Sequence, residues 1–461
     1  MRSSRAPGPP AGHVSGSSAG RLTRPPGRTP SREERTPLVA HELIRFQAPS
    51  LPSLREVEPW FAEAERLRWF SNGGPCVARL ERSCADRLGL EHPGVAVNNA
   101  TSGLMVALRA CLGTPQGRRR LVAVPSFTFI ATVNAVCWAG FEPVFVDVDP
   151  DDWQPSDASL ALLWELRDEL AGILHCSTFG TAPSRARRES VAALARDLGV
   201  PLVVDSAAGF GAVDEDGRTL GDQGDAEVFS FHATKPFAIG EGGLVTSRST
   251  AVLASLAELI NFGFDHARSV TGPLGINAKM PELTAAVGLA VLDRFDDVLA
   301  HRRAAAGWLR DELEPAGARF QAGSAGSTFQ FVPVALPSAA ARDLLLQKAH
   351  DARIEVRMYF DPPMHRLPAL GSTRRAGDLG VTESLSERIV GLPMANDISA
   401  GSLERIRDLV LRAVATTPRT APHRPTTAPG TRAPRLVPHP RRRALDDLPA
   451  ERLPAPTPLA P

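Results

Sequence analysis

The sequence predicts an α/β fold, with a large domain on a mainly parallel sheet and a smaller α+β domain after it. Three observations lead there. Short apolar runs of strand length alternate with helix-length stretches between residues 53 and 231. The loops after those runs are rich in small and hydroxyl residues, which suits ligand loops beyond the carboxyl ends of parallel strands. From Leu299 the texture changes, and long helical stretches alternate with only two strand-like runs.

In chain order, residues 53–70 and 75–88 read as helices, 95–98 as a short strand and 101–112 as a helix. The long apolar stretch 121–146 has the length of a membrane span. Pro125 and Gly140 punctuate it, and Ser126, Thr128, Asn134 and Glu142 interrupt it, so it divides into strand 121–124, helix 128–139 and strand 143–148. A helix over 156–170, a strand at 172–175, a helix over 189–198 and strands at 201–205, 228–231 and 244–246 complete the larger unit. A linking helix is expected at 281–297. Helices at 299–315, 338–351 and 401–415 then alternate with strands near 328–335 and 353–358. The expected division is 1–40 as a disordered extension, 41–297 as the large domain, 298–415 as the small domain and 416–461 as a disordered tail.

The 461 residues are 43% hydrophobic and 22% charged with a net charge of +1, enough for a large core and without the basic excess that would favour nucleic acid. The amino terminus is Pro-, Gly-, Ser- and Arg-rich with no apolar secretory run, and no membrane partner is expected. Cys76, Cys84, Cys111, Cys137 and Cys176 form no CxxC pair and read as buried thiols of a reducing, cytoplasmic setting.

Four features fall at strand ends. Asn98 to Gly103 places Thr101 and Ser102 at a helix start, where backbone N–H groups suit a phosphate; an ordinary cap by Thr101 is the alternative. Ser126 to Phe129 offers an aromatic that would stack on a flat ring, or simply a core residue. Asp205 ends an apolar strand, where a carboxylate is costly unless partnered. It would cap a turn, bind a metal or hold a heteroaromatic N–H⁺, and no HExxH-like cluster favours the metal. Gly209-Phe210-Gly211 does not complete a dinucleotide GxGxxG, since Asp214 stands at the third glycine. Lys235 follows the strand at 228–231 among small and apolar residues, either as a surface lysine or as an amine whose burial frees it for attack on a carbonyl. The ordered set of hydroxyl-bearing helix start, aspartate and lysine is what pyridoxal phosphate chemistry requires.

The motifs NNATSGLMVALRA (98–110), VVDSAAGFGA (203–212), VFSFHATKPFAIGEGGLVTS (228–247) and GINAKMPELTAAVGLA (275–290) resemble the DegT/DnrJ/EryC1/StrS family of sugar aminotransferases. The stretches at 124–150, 362–370 and 391–397 resemble further family landmarks, so the similarity covers about residues 50 to 415. The resemblance implies pyridoxal phosphate (PLP) fold type I, with pyridoxal 5'-phosphate as cofactor. It implies that Lys235 carries the Schiff base and shuttles the proton, that Asp205 pairs with the pyridine nitrogen and that Phe129 stacks on the ring. Thr101, Ser102 and Ser230 would bind the phosphate, and Asn277 and Lys279 would reach the phosphate of the neighbouring subunit in a homodimer with shared active sites. His365 would contact substrate or lie on the surface, His232 would be positional, and Glu241 would fix the turn it begins. Arg357 and Arg366 are candidates for a substrate phosphate. The implied reaction moves an amino group from glutamate or glutamine to a nucleotide-linked keto sugar. Its rivals are another PLP reaction such as sugar dehydration, which the intact lysine disfavours, and a non-catalytic regulatory homologue. One departure stands out: Ala208 occupies a position three after the aspartate where the family usually has a polar residue.

Overall fold

A computed structural model describes residues 42–265, 267–270 and 272–416. The extension expected at 1–40 and the tail from 417 lie outside the described residues, and Thr416 ends the last helix. The chain opens with α1 (Leu54–Leu67), α2 (Pro75–Leu88), β1 (Val95–Val97), α3 (Ala100–Leu112), β2 (Leu121–Pro125), α4 (Ile130–Trp138) and β3 (Glu142–Val146). Next come α5 (Asp157–Ala161), β4 (Leu170–Cys176), α6 (Arg185–Leu198), β5 (Leu202–Asp205), β6 (Ala226–Ser230), β7 (Gly243–Thr246) and α7 (Thr250–Leu259). The remainder is α8 (Glu282–Leu292), α9 (Phe295–Leu313), β8 (Arg319–Phe320), β9 (Val332–Ala335), α10 (Ala339–Asp351), β10 (Arg357–Met358), β11 (Arg374–Arg375), α11 (Gly380–Ser386), β12 (Ile389–Leu392) and α12 (Ala400–Thr416).

Eight strands form the main sheet in the order β1-β7-β6-β5-β4-β2-β3-β11. Only β7 runs against its neighbours β1 and β6; the other pairings are parallel. The unbroken apolar strands are explained by cover on both faces. Along β2, Val122 and Val124 pack into one apolar cluster with α3 and α4, while Leu121 and Ala123 pack into another with α6. Each such valine or leucine removed from water contributes about 1.5–3 kcal/mol. The second sheet, β10-β12-β9-β8, is antiparallel and packs on α9, α10 and α12.

Several expected boundaries move. The helix expected at 156–170 is only α5 and a 3₁₀ turn at Leu162–Leu166. Leu170 must already pair with Leu121 in the sheet, so the chain has to leave the helix earlier. The linking helix at 281–297 is two helices broken at Asp293 and Arg294. The expected boundary at 297/298 falls inside α9, whose Phe295 and Leu299 join the aromatic core beside the main sheet while Leu309 and Leu313 join the core of the second. The strand near 353–358 shrinks to β10, because Arg353 takes a left-handed conformation (φ 54°). All five cysteines are free, but only Cys76, Cys84 and Cys176 are buried; Cys111 is half-buried and Cys137 exposed. No helix among the described residues is long and apolar enough to cross a membrane.

Glu282 fixes α8 to α2. Its carboxylate is fully buried and accepts from the backbone N–H groups of Gly74 (2.8 Å) and Cys76 (2.7 Å), capping α2 from another helix. A Cβ at Gly74 would stand 2.8 Å from that carboxylate, so glycine is required by the close approach. Glu282→Ala leaves those N–H groups unpaired in the core, and we expect it to lower unfolding free energy by about 3 kcal/mol, read by denaturant titration.

Candidate active site

The carboxyl edge of the main sheet collects the polar groups. In register, Cys176 of β4 lies beside Asp205 of β5, and Asp205 lies beside Val228 of β6. Asp205 is only 5% exposed. Its Oδ2 accepts from the Thr132 hydroxyl on the first turn of α4 at 2.7 Å, and its Oδ1 accepts from the Ala207 amide at 3.0 Å. Thr128 stands between, 2.9 Å from the Thr132 hydroxyl and 3.4 Å from the Cys176 sulfur. Burial pushes the Asp205 pKa up, opposed by those two hydrogen bonds and by the charge of Lys235.

Lys235 lies in the connection from β6 to β7. The connection is closed by backbone bonds Phe231 N–H to Gly242 C=O (2.9 Å), Ala233 N–H to Gly240 C=O (2.7 Å) and Lys235 N–H to His232 C=O (2.8 Å). Beneath it Phe231 and Phe237 are buried, with ring centroids 4.7 Å apart and Phe210 against both. The half-buried Lys235 donates from Nζ to Gln330 Oε1 at 2.9 Å. Desolvation pulls its pKa down from 10.5 to about 8, against the opposing pull of Asp205 and Cys176. About a tenth of such an amine is neutral at pH 7, far more than of an ordinary lysine.

The other expected residues fall as follows. Asn99, not Thr101, caps α3, its Oδ1 accepting from Ser102 N–H at 2.9 Å. Thr101 and Ser102 therefore sit inside the first turn, at the positive end of a 13-residue helix. Ser230 ends β6, buried, and its hydroxyl accepts from His232 N–H at 3.3 Å. Phe127 is the core aromatic, whereas Phe129 starts α4 with its ring 60% exposed. Asn277 and Lys279 lie beside the β1 edge through Asn98 N–H to Ala278 C=O (2.8 Å), and Lys279 Nζ donates to Asn261 Oδ1 at 2.7 Å. His232 Nδ1 lies 2.9 Å from the Thr234 hydroxyl and its Nε2 lies 3.5 Å from Glu241, so both brace the lysine turn.

His365 departs from the surface reading. It is buried, not on the surface, with Nδ1 2.7 Å from Ser126 Oγ and Nε2 3.0 Å from Glu383 Oε1. Both ring nitrogens are engaged within the chain, which ties the segment after β2 to α11. Arg366 is paired with Glu383, and the Arg357 guanidinium lies 4.6 Å over the Phe46 ring. Ala208 offers no polar side chain, and its carbonyl accepts from Thr328 Oγ1. Sequence reasoning missed Thr132, Thr128 and Gln330. The signal for Thr132 was a polar side chain on an otherwise apolar helix start; for Gln330 it was one amide between Phe329 and Phe331.

The donor set fits pyridoxal phosphate. A buried carboxyl group with part of its hydrogen-bonding capacity used, a lysine more readily deprotonated than an ordinary one and a helix start bearing hydroxyls match a pyridinium N–H, an aldehyde and a phosphate in turn. With one reversed strand in a parallel sheet, this site defines the class of pyridoxal-phosphate-dependent aminotransferases. The chain belongs to the DegT/DnrJ/EryC1/StrS aminotransferase family, whose profile matches residues 55–411. It is 36% identical over 368 residues to Protein Rv3402c of Mycobacterium tuberculosis, covering 79% of this chain and 88% of that one. It is 29% identical to the dTDP-4-amino-4,6-dideoxy-D-glucose transaminase of Shigella dysenteriae, covering 78% and 95%. Among solved structures, DesI with its TDP-sugar product superposes with a TM-score of 0.72 at 31% identity, covering 81% of this chain and 93% of that one. The expectations of family, fold and cofactor are thereby met.

The pKa near 8 has a direct consequence. Lysine attack needs the neutral amine, so covalent labelling of Lys235 by a small aldehyde is expected to rise with pH around a midpoint near 8. A midpoint near the ordinary lysine value, read by mass spectrometry across pH, would show the amine to be unperturbed.

Proposed function

We propose that the protein transfers an amino group from glutamate or glutamine to a nucleotide-linked keto sugar. The observation that carries the reading is the Lys235 amine, desolvated to a pKa of about 8 at the same sheet edge as the buried Asp205 carboxylate. When bound, pyridoxal phosphate supplies the carbonyl that exchanges with amines and a ring that withdraws electrons. Each residue then has a definite task. Asp205 holds a proton on the ring nitrogen, and Thr132 and the Ala207 amide keep its carboxylate aimed. Lys235 anchors the cofactor and, once released, carries the proton that leaves the donor's α-carbon. Thr101, Ser102 and Ser230 would bind the phosphate, and Phe129, which is exposed, would pack against the ring.

The same proposal makes the active unit a cytoplasmic homodimer. Its support is a cluster of exposed apolar side chains beside the Asn277–Lys279 segment, with Leu274 81% exposed and Phe262 and Phe264 also open. That segment would reach the neighbouring subunit's phosphate. Sugar substrates are favoured because the Shigella relative and the DesI complex concern dTDP- and TDP-linked sugars.

The test incubates purified protein and pyridoxal phosphate with glutamate or glutamine and a panel of nucleotide-linked 3-keto and 4-keto sugars. Amine product and the matching keto acid are expected from one donor–acceptor pair, and Lys235→Ala should abolish both. Asp205→Asn should lower kcat/KM by about 10²-fold or more. Loss of water from the sugar without amine gain would instead assign a dehydratase, and no turnover with any pair would favour a non-catalytic homologue.

A further inference from the structure

We infer that Gln330 is a positioning residue for the Lys235 amine, setting its orientation and its protonation; this rests on Lys235 being the cofactor's point of attachment. The amide is the group the structure places on Nζ. Gln330 Oε1 accepts from Lys235 Nζ at 2.9 Å, and Gln330 Nε2 lies 3.3 Å from the Thr234 hydroxyl, next to the lysine in sequence. The amide thus grips the lysine turn at two adjacent residues from a segment 95 positions away.

That segment is tied down from Gly326 through Gln330 itself. Arg302 of α9 is 4% exposed and donates from Nη1 to the carbonyl of Phe329 at 2.7 Å and of Gln330 at 3.4 Å, while its Nε donates to Asn396 Oδ1 at 2.8 Å. Thr328 donates to the Ala208 carbonyl, and Ser327 donates to the Gly180 carbonyl at 3.1 Å. Arg303 donates to Ser327 C=O at 3.1 Å and to Gly326 C=O at 2.9 Å. Backbone held this firmly delivers the amide oxygen to one point in space. Phe329 accepts a left-handed backbone (φ 50°) in the process, the kind of local strain kept where position matters.

The groups facing Nζ are then Gln330, Asp205 and Cys176, with Thr234 adjoining. Of these the amide alone touches the amine by a hydrogen bond, and it is neutral. A neutral acceptor orients the lone pair while adding less ammonium stabilisation than a carboxylate would. The side chain therefore keeps the amine aimed without restoring an ordinary lysine pKa.

The experiment adds pyridoxal phosphate to the cofactor-stripped full chain and follows the visible absorbance gained on lysine attachment, at a series of pH values. Wild type, Gln330→Glu and Gln330→Met are compared, with circular dichroism and melting to confirm the fold. Gln330→Glu places a negative charge on the ammonium and should move the pH midpoint of attachment upward by about one unit or more. Gln330→Met keeps the bulk without the acceptor and should slow attachment by about an order of magnitude at high pH, where the amine is neutral in every variant. If Gln330→Met fails to fold, the midpoint of Gln330→Glu decides alone. Wild-type midpoint and rate in the folded variants would overturn the inference while leaving the attachment itself standing. A wild-type protein that gains no absorbance overturns the attachment reading, and the inference with it.

Discussion

The structure turns on a carboxyl group held out of water. Asp205 sits 5% exposed at the end of a strand whose other residues are apolar. An unpartnered carboxylate there would cost several kcal/mol. The Thr132 hydroxyl and the Ala207 amide offset part of that, at about 1.5–3 kcal/mol each for hydrogen bonds to a charge. Lys235 opposes the remainder only at a distance, because its amine is hydrogen-bonded to Gln330 instead. In the proposed role of Asp205, a protonated heterocycle brought against it would supply the cation that the fold withholds. Cofactor affinity and fold stability are in this sense one electrostatic problem.

The sheet explains why these groups meet. Parallel strands end on one edge, so Cys176, Asp205 and Ser230 arrive together from separate strands. Reversing β7 brings the chain from β6 back along the same edge, and the connection carries Lys235 across it. The phenylalanine cluster beneath anchors that connection, and the tethers from Arg302 and Arg303 hold the segment that faces it. A cavity of about 520 Å³ between α6 and the amino ends of β5 and β6 lies on the opposite edge, away from these residues.

Much of this was legible in the sequence, for physical reasons. Strands such as β2 and β5 are buried on both faces, so their apolar runs stand out, and the polar residue that ends one, Asp205, is conspicuous. Lys235 was ambiguous alone and became clear from its order relative to Asp205 and the α3 start. What escaped reading depended on tertiary contacts. Local pattern favours a helix over 156–170, but pairing of Leu170 with Leu121 ends it early. Glu227 reads as a charge at the strand's approach, yet it is 1% exposed and accepts from Gly221 and Gln223 amides, with its pKa pushed up to about 7 by burial. His365 looked available and is instead locked between Ser126 and Glu383. Gln330 stands out as one amide between Phe329 and Phe331, but its partner Lys235 is remote in the chain, so spacing alone does not reveal its role.

We propose that Lys235 takes up the cofactor in the site that holds Asp205. Reducing the pyridoxal-phosphate-loaded protein with borohydride and mapping the modified peptide by mass spectrometry tests it most directly. One stable pyridoxyl group per chain is expected, on Lys235. Label spread over several surface lysines, or placed reproducibly on a lysine other than Lys235, would contradict it.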